Sequence, residues 1–149
     1  MEIGKVIKQE KFKGELHKLL VNLIYTANFL RGDHSSKLKP FGITPEQFNV
    51  LRILRGQYPK PATVNLIIER MLDKSSNASR LVDKLKSKKL VERTTCPDDR
   101  RAVNVIISDK GLSLLEIMDK EEENWLKDLK TLTEEEAKQL NVLLDKLRG

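Results

Sequence analysis

The sequence predicts a mainly α-helical domain interrupted by one small β-hairpin. Three observations predict it. Helix-start signals recur along most of the 149 residues. Apolar residues after each signal fall at helical spacing. One β-branched, alternating stretch, residues 91–107, breaks the helical pattern. The length suits one domain. The composition, 39% hydrophobic and 34% charged, suits amphipathic helices around a thin core, with part of the apolar surface completed by a partner chain.

The first helix is expected from about Glu10 to Leu38. Phe12, Leu16, Leu19, Leu23, Ala27 and Leu30 share one face, and Val21, Ile24, Tyr25 and Phe29 widen it. Gly32 marks a place for a kink or break. Thr44, Pro45, Glu46 and Gln47 form a capping box with proline at the first helical position, followed by Phe48, Leu51 and Leu54. Gly56, Pro59 and Pro61 end that helix. Thr63 caps a second short helix carrying Val64, Ile68, Met71 and Leu72. Ser75 or Ser76 caps a third, with Ala78, Leu81, Val82 and Leu85 facing inward.

Residues 91–95 and 103–107 then alternate as two strands around the polar, turn-rich residues 96–101, a hairpin with a basic tip. Ser108 caps a further helix with Leu114, Leu115, Met118, Trp125 and Leu129. Thr133 and Glu136 bracket another capping box ahead of Ala137, Leu140, Leu144 and Leu147. Two short helices joined by a tight turn at Asp73 and Lys74 form a helix-turn-helix, and the hairpin after it supplies a wing. The fold class is thus a winged helix-turn-helix with N- and C-terminal dimerisation helices. One domain spans residues 1–149, with a DNA-binding lobe at about 44–108 and dimerisation helices at about 5–38 and 109–149.

Charge is unevenly placed. The whole chain carries +6, with a pI near 9.4. Residues 1–59 and 60–111 each carry +5, and residues 112–149 carry −4. A basic front and an acidic tail fit a part that faces a polyanion joined to a part that faces elsewhere. Cys96 is the single cysteine, so no intramolecular disulfide is available. A reducing cytoplasm is the expected compartment. The N-terminus lacks a secretory pattern, and the apolar-rich residues 19–30 are broken by Asn22, Thr26 and Asn28, too short and polar to span a bilayer.

The third short helix is the expected reader of DNA. With its apolar residues inward, Ser76, Asn77, Ser79, Arg80, Asp83 and Lys84 face out, and Ser75 sits at its start. Arginine pairs bidentately with a guanine edge, asparagine with adenine, and a helix N-terminus attracts phosphate. Alone, such a face is equally a solvated surface. Lys86, Lys88, Lys89 and Arg93 are placed for phosphates. At the hairpin tip Arg100 and Arg101 suit a narrow minor groove, with Asp99 placed to orient an arginine.

Residues 99–111 resemble the wing signature of the MarR (multiple antibiotic resistance regulator) family, D-x-R-x-x-x-V-x-L-T-x-x-G. Asp99, Arg101, Val105 and Gly111 match, while Ile107 and Ser108 are conservative departures. Residues 79–85 with 90–93 resemble the family's recognition helix and strand entry, and residues 42–44 with 48–51 the start of its second helix. The resemblance implies a homodimeric bacterial or archaeal repressor or activator, joined through its first and last helices and binding a pseudo-palindromic operator. It also implies, for many members, a small effector. Lys89 stands where the family usually ends the recognition helix with glycine; lysine in the left-handed region costs roughly 1 kcal/mol or more.

An effector pocket is expected between the first helix, the capped second helix and the Ser108 helix, with His17, Tyr25 and Trp125 as its candidate lining. Plain core or interface roles are the alternative for each. No cofactor is expected. His17 and His34 have no cysteine or acidic residue at ligand spacing, no phosphate-cradling glycine loop is present, and Ser, His and Asp are scattered without an elbow motif, so neither metal binding nor catalysis is expected. Some relatives sense oxidants through a cysteine in the first helix; Cys96 lies beside the wing instead and is read as a packing residue. The rival reading is a winged-helix module that binds protein and has no specific DNA readout.

Overall fold

A computed structural model describes residues 1–95, 103–127 and 131–149. Seven α-helices appear among the described residues, α1 (Ile3–Val6), α2 (Glu15–Leu38), α3 (Pro45–Gln57), α4 (Val64–Arg70), α5 (Ala78–Ser87), α6 (Asp109–Lys127) and α7 (Glu134–Arg148), with a 3-10 turn at Lys39–Phe41. Strands β1 (Ala62–Thr63), β2 (Val91–Thr95) and β3 (Val103–Ile107) form one antiparallel sheet in the order β1-β3-β2. Val91 faces Ile107 and Arg93 faces Val105 across the hairpin, as the alternation predicts. The first strand, which pairs Ala62 with Val105, is a feature the sequence reading did not contain. Two residues are too few to show a period.

The predicted capping boxes form. At the start of α3 the Gln47 amide donates to Thr44 Oγ1 and the Thr44 amide to Gln47 Oε1. At α7 Thr133 and Glu136 do the same. Each reciprocal pair satisfies backbone donors that the helix leaves open. The Glu136 carboxyl sits below its usual range because the Thr133 amide donates to it.

The core joins α3, α4, α5, the sheet and the first half of α6. Phe48, Leu51 and Leu54 meet Ile67, Val82, Leu85, Val105, Leu115 and Met118 there, all buried. Gly111 lets α6 start against the hairpin: a Cβ there would stand 2.3 Å from the Leu90 carbonyl oxygen. That oxygen already accepts the Ser108 amide at 3.1 Å.

Several expectations are corrected. The first long helix starts at Glu15, not near Glu10, with the short α1 ahead of it, and Gly32 lies in an unbroken α2. Gly56 lies inside α3. In α4 it is Ile67 that is buried, while Ile68 and Leu72 are exposed, because the helix ends at Arg70 and Leu72 lies beyond it. Neither Ser75 nor Ser76 caps α5. Asn77 does, its side chain accepting from the Arg80 amide at 3.0 Å. Asp73 Oδ1 takes both the amide and the hydroxyl of Ser75, so the chain stays in a turn for longer than the sequence suggested. Those two bonds also hold the Asp73 carboxyl below its ordinary value.

Outside this core, apolar surface is uncovered. On α2, Leu16, Leu20, Ile24 and Phe29 are exposed, Leu16 at 81%. The helix α7 buries no residue, and Leu140, Val142, Leu143 and Leu147 stand open.

Candidate nucleic-acid interface

The helix α5 is anchored by Ala78, Val82 and Leu85 and half-anchored by Leu81, as its spacing predicts. That packing fixes which face points out. Ser79, Arg80 and Lys84 are exposed along it. Ser75 and Asn77 are exposed ahead of it, and Ser76 is half-buried. These residues are therefore brought to one end of one helix. Asp99, Arg100 and Arg101, with Cys96, lie outside the described residues.

The charges around α5 are not all free. Arg93 of β2 donates to the Asp83 carboxylate, and Lys88 Nζ donates to the Gly42 carbonyl and to Gln47 Oε1. These two cations tie α5 to β2 and to the start of α3. Lys84, Lys86 and Lys89 are exposed. Lys89 has φ 60°, the left-handed position expected for it. Its amide donates to Lys86 O and the Leu90 amide to Leu85 O, closing the end of α5.

A cavity lies in the region where an effector pocket was expected, and its lining differs from the expected one. A cavity of about 590 Å³ lies between α2, α3, α6 and the turn before α5. Leu30, His34, Phe48, Arg52, Met71 and Leu72 contribute to its wall. A smaller cavity of about 260 Å³ shares Leu30 and His34 and adds Trp125. Tyr25 and His17 line neither: Tyr25 is exposed on α2, and His17 lies near its start, 5.9 Å from the Phe12 ring. Among the candidates only Trp125 is near, with its ring 6.0 Å from that of His34.

Sequence reasoning missed His34, Arg52 and Asn49. The His34 ring meets Phe48 edge-on at 5.6 Å. Burial pushes its pKa below the usual value against the pull of Asp33 and Glu122. Arg52 donates to Glu122 at 2.8 Å and lies over the Phe48 ring. Arg55 grips Asp119 with two bonds, at 2.5 and 3.0 Å. That grip lowers the Asp119 pKa and raises that of Arg55. The partners in each pair are more than 60 residues apart, so no local spacing announces them. Among the described residues no group of three or more His, Cys, Asp or Glu stands together to hold a metal ion, and no helix is long and apolar enough to cross a membrane.

A helix-turn-helix with a polar outward helix and a hairpin beside it defines the winged helix-turn-helix class of protein. Residues 41–102 match the model of the MarR family. The transcriptional repressor MdtR of Bacillus subtilis is 33% identical over 107 residues, 71% of this chain and 68% of that protein. The transcriptional regulator MhqR of the same organism is 34% identical over 84 residues, which is 56% of this chain but only 57% of that protein's length. A mutant MarR from E. coli, solved in complex with operator DNA, superposes with a TM-score of 0.74 at 29% identity, covering 86% of this chain and 92% of that one. The chain belongs to the MarR family.

Proposed function

We propose that this chain is a homodimeric, sequence-specific binder of a pseudo-palindromic operator, and that it represses transcription. The observation that carries the reading is α5: its apolar side is locked into the core, so Ser79, Arg80 and Lys84 stand outward together on its first two turns. Ser76, Asn77 and Arg80 are the proposed base readers, with Ser75, Ser79 and Lys84 on the backbone. Asn77 contributes as the helix cap, so Arg80 carries most of the discrimination. The wing residues Arg100 and Arg101, oriented by Asp99, are proposed for the flanking minor groove. The two lobes are proposed as residues 44–108 for DNA and residues 5–38 with 109–149 for the partner copy. The open apolar faces of α2 and α7 support the second copy.

The 590 Å³ cavity is the proposed effector site. Its mix of apolar wall, His34 and Arg52 suits a small aromatic acid. A cytoplasmic, non-catalytic protein follows from this role. Selection of duplexes from a random pool, then titration at several salt concentrations, tests the reading. Arg80→Ala should cost roughly 1–3 kcal/mol on the selected duplex and relax one or two base positions. Lys84→Ala should weaken all duplexes alike and flatten the salt slope. Equal affinity for selected and random DNA would favour the rival protein-binding module. A panel of substituted benzoates that leaves DNA affinity unchanged would remove the effector site.

A further inference from the structure

The two ends of the recognition helix α5 are held very differently. The C-terminal end is tied to three other parts of the fold. Lys88 Nζ donates to Gly42 O and Gln47 Oε1, Ser108 Oγ to Lys89 O, and Lys110 Nζ to Lys88 O. Leu85 and Leu90 at that end are buried, and the Gln47 side chain that accepts from Lys88 is 2% exposed. The turn leading into the N-terminal end has less. Asp73 bonds forward to Ser75, Asn77 bonds forward to Arg80, and Lys74 Nζ bonds back to α4. None of these ties the turn to α3. Met71 packs into the core, but the Leu72 side chain is 89% exposed and anchors nothing. The polar link from this turn to α3 is the Leu72 amide, which donates to Asn49 Oδ1 at 2.9 Å.

We propose that Asn49 is a positioning residue for DNA reading: its bond to the Leu72 amide fixes the N-terminal, base-facing end of α5 on α3. The proposal rests on the DNA-binding reading above. Asn49 contacts no base. It acts through the turn, by limiting how far residues 72–77, ahead of the buried Ala78, move relative to α3. Asn49 and Leu72 also both line the 590 Å³ cavity, so a ligand there meets this bond directly.

The test compares the full-length protein with Asn49→Ala and Asn49→Asp, the latter keeping an acceptor in place. Two quantities are read: hydrogen exchange of the Leu72 amide, and the ratio of affinities for a selected and a random duplex. Asn49→Ala should speed Leu72 exchange and lower the ratio by about fivefold each, the worth of one hydrogen bond. Random-duplex affinity should hardly move, and the urea midpoint should fall by no more than the roughly fivefold worth of one bond accounts for, about 0.5 M. Asn49→Asp should restore both quantities. Unchanged Leu72 exchange in Asn49→Ala would show that the bond does not hold the turn. Faster exchange with an unchanged ratio would show that the turn does not position the reader. A wild-type protein with no duplex preference would overturn the DNA reading itself, a distinct failure, since the exchange measurement needs no DNA.

Discussion

Gly111→Ala tests the join between α6 and the hairpin. The new Cβ would lie 2.3 Å from the Leu90 carbonyl oxygen and 2.7 Å from Ile107 Cγ1. Non-bonded heavy atoms rest at roughly 3.5 Å, so the start of α6 must retreat by about 1 Å. Neither neighbour yields readily. Leu90 and Ile107 are both buried, and the Leu90 oxygen is pinned by the Ser108 amide. Overpacking of this kind costs about 1–3 kcal/mol. Weakening the Ser108 bond adds about 1 kcal/mol, and the better helix propensity of alanine returns up to about 1 kcal/mol. The last two nearly cancel, so the net expectation is a loss of about 1–3 kcal/mol. In urea, with a slope of about 2 kcal/mol per molar, the midpoint should fall by about 0.5–1.5 M at fixed protein concentration. An unchanged or raised midpoint would refute the close approach, and with it the placement of α6 on the hairpin.

Lys89→Gly should act in the opposite direction. It relieves a lysine at φ 60° and should raise stability by about 1 kcal/mol, read as a melting temperature several degrees higher. Leu140→Asp with Leu143→Asp should leave each protomer folded, since both side chains are exposed on it, but give a monomer in sedimentation at micromolar concentration. Stability should also decline in two windows on acidification. His34, whose folded value is depressed, contributes stability above its ordinary value near 6.5 that is lost as pH falls through the lowered one. Asp119, also depressed, does the same below about 3.8. His34→Asn should flatten only the first step in a plot of urea midpoint against pH, and Asp119→Asn only the second.

Local chemistry explains what the sequence disclosed. Thr44 with Gln47 and Thr133 with Glu136 are helix starts whose partners lie three residues apart, and both formed. The inward face of α5 and the alternation in β2 and β3 were legible for the same reason: periodicity reports which side is buried. The cap of α5 was misplaced because Ser75, Ser76 and Asn77 are all good capping types, and the choice was made by Asp73 capturing Ser75. In α4, seven residues are too few to set a phase, so Ile68 was taken for Ile67. The cavity's location followed from the packing of three amphipathic helices. Its lining did not, because His34, Arg52 and Leu72 reach it from elements distant in sequence. The sequence offered aromatic residues instead, and Tyr25 faces away on an open helix side.

The way the lobe is joined to the outer helices also bears on regulation. Arg52 and Arg55 of α3 reach Glu122 and Asp119 of α6, and all four side chains are partly exposed. Ion pairs in such surroundings contribute on the order of 0.2–1 kcal/mol each. The cavity lies beside them and shares Arg52 and Glu122 with them. A ligand that replaces one such partner therefore contends with about 1 kcal/mol, not with the cost of opening a buried core. Effector couplings typically amount to about 1–3 kcal/mol, so one or two of these contacts are of the right size. The Phe48 to Met118 core would be too costly to rearrange on that scale. A proposed effector acting on this scale would shift the half of α6 beyond Met118 against α3 and leave the core, which includes Leu115 and Met118 of α6, intact.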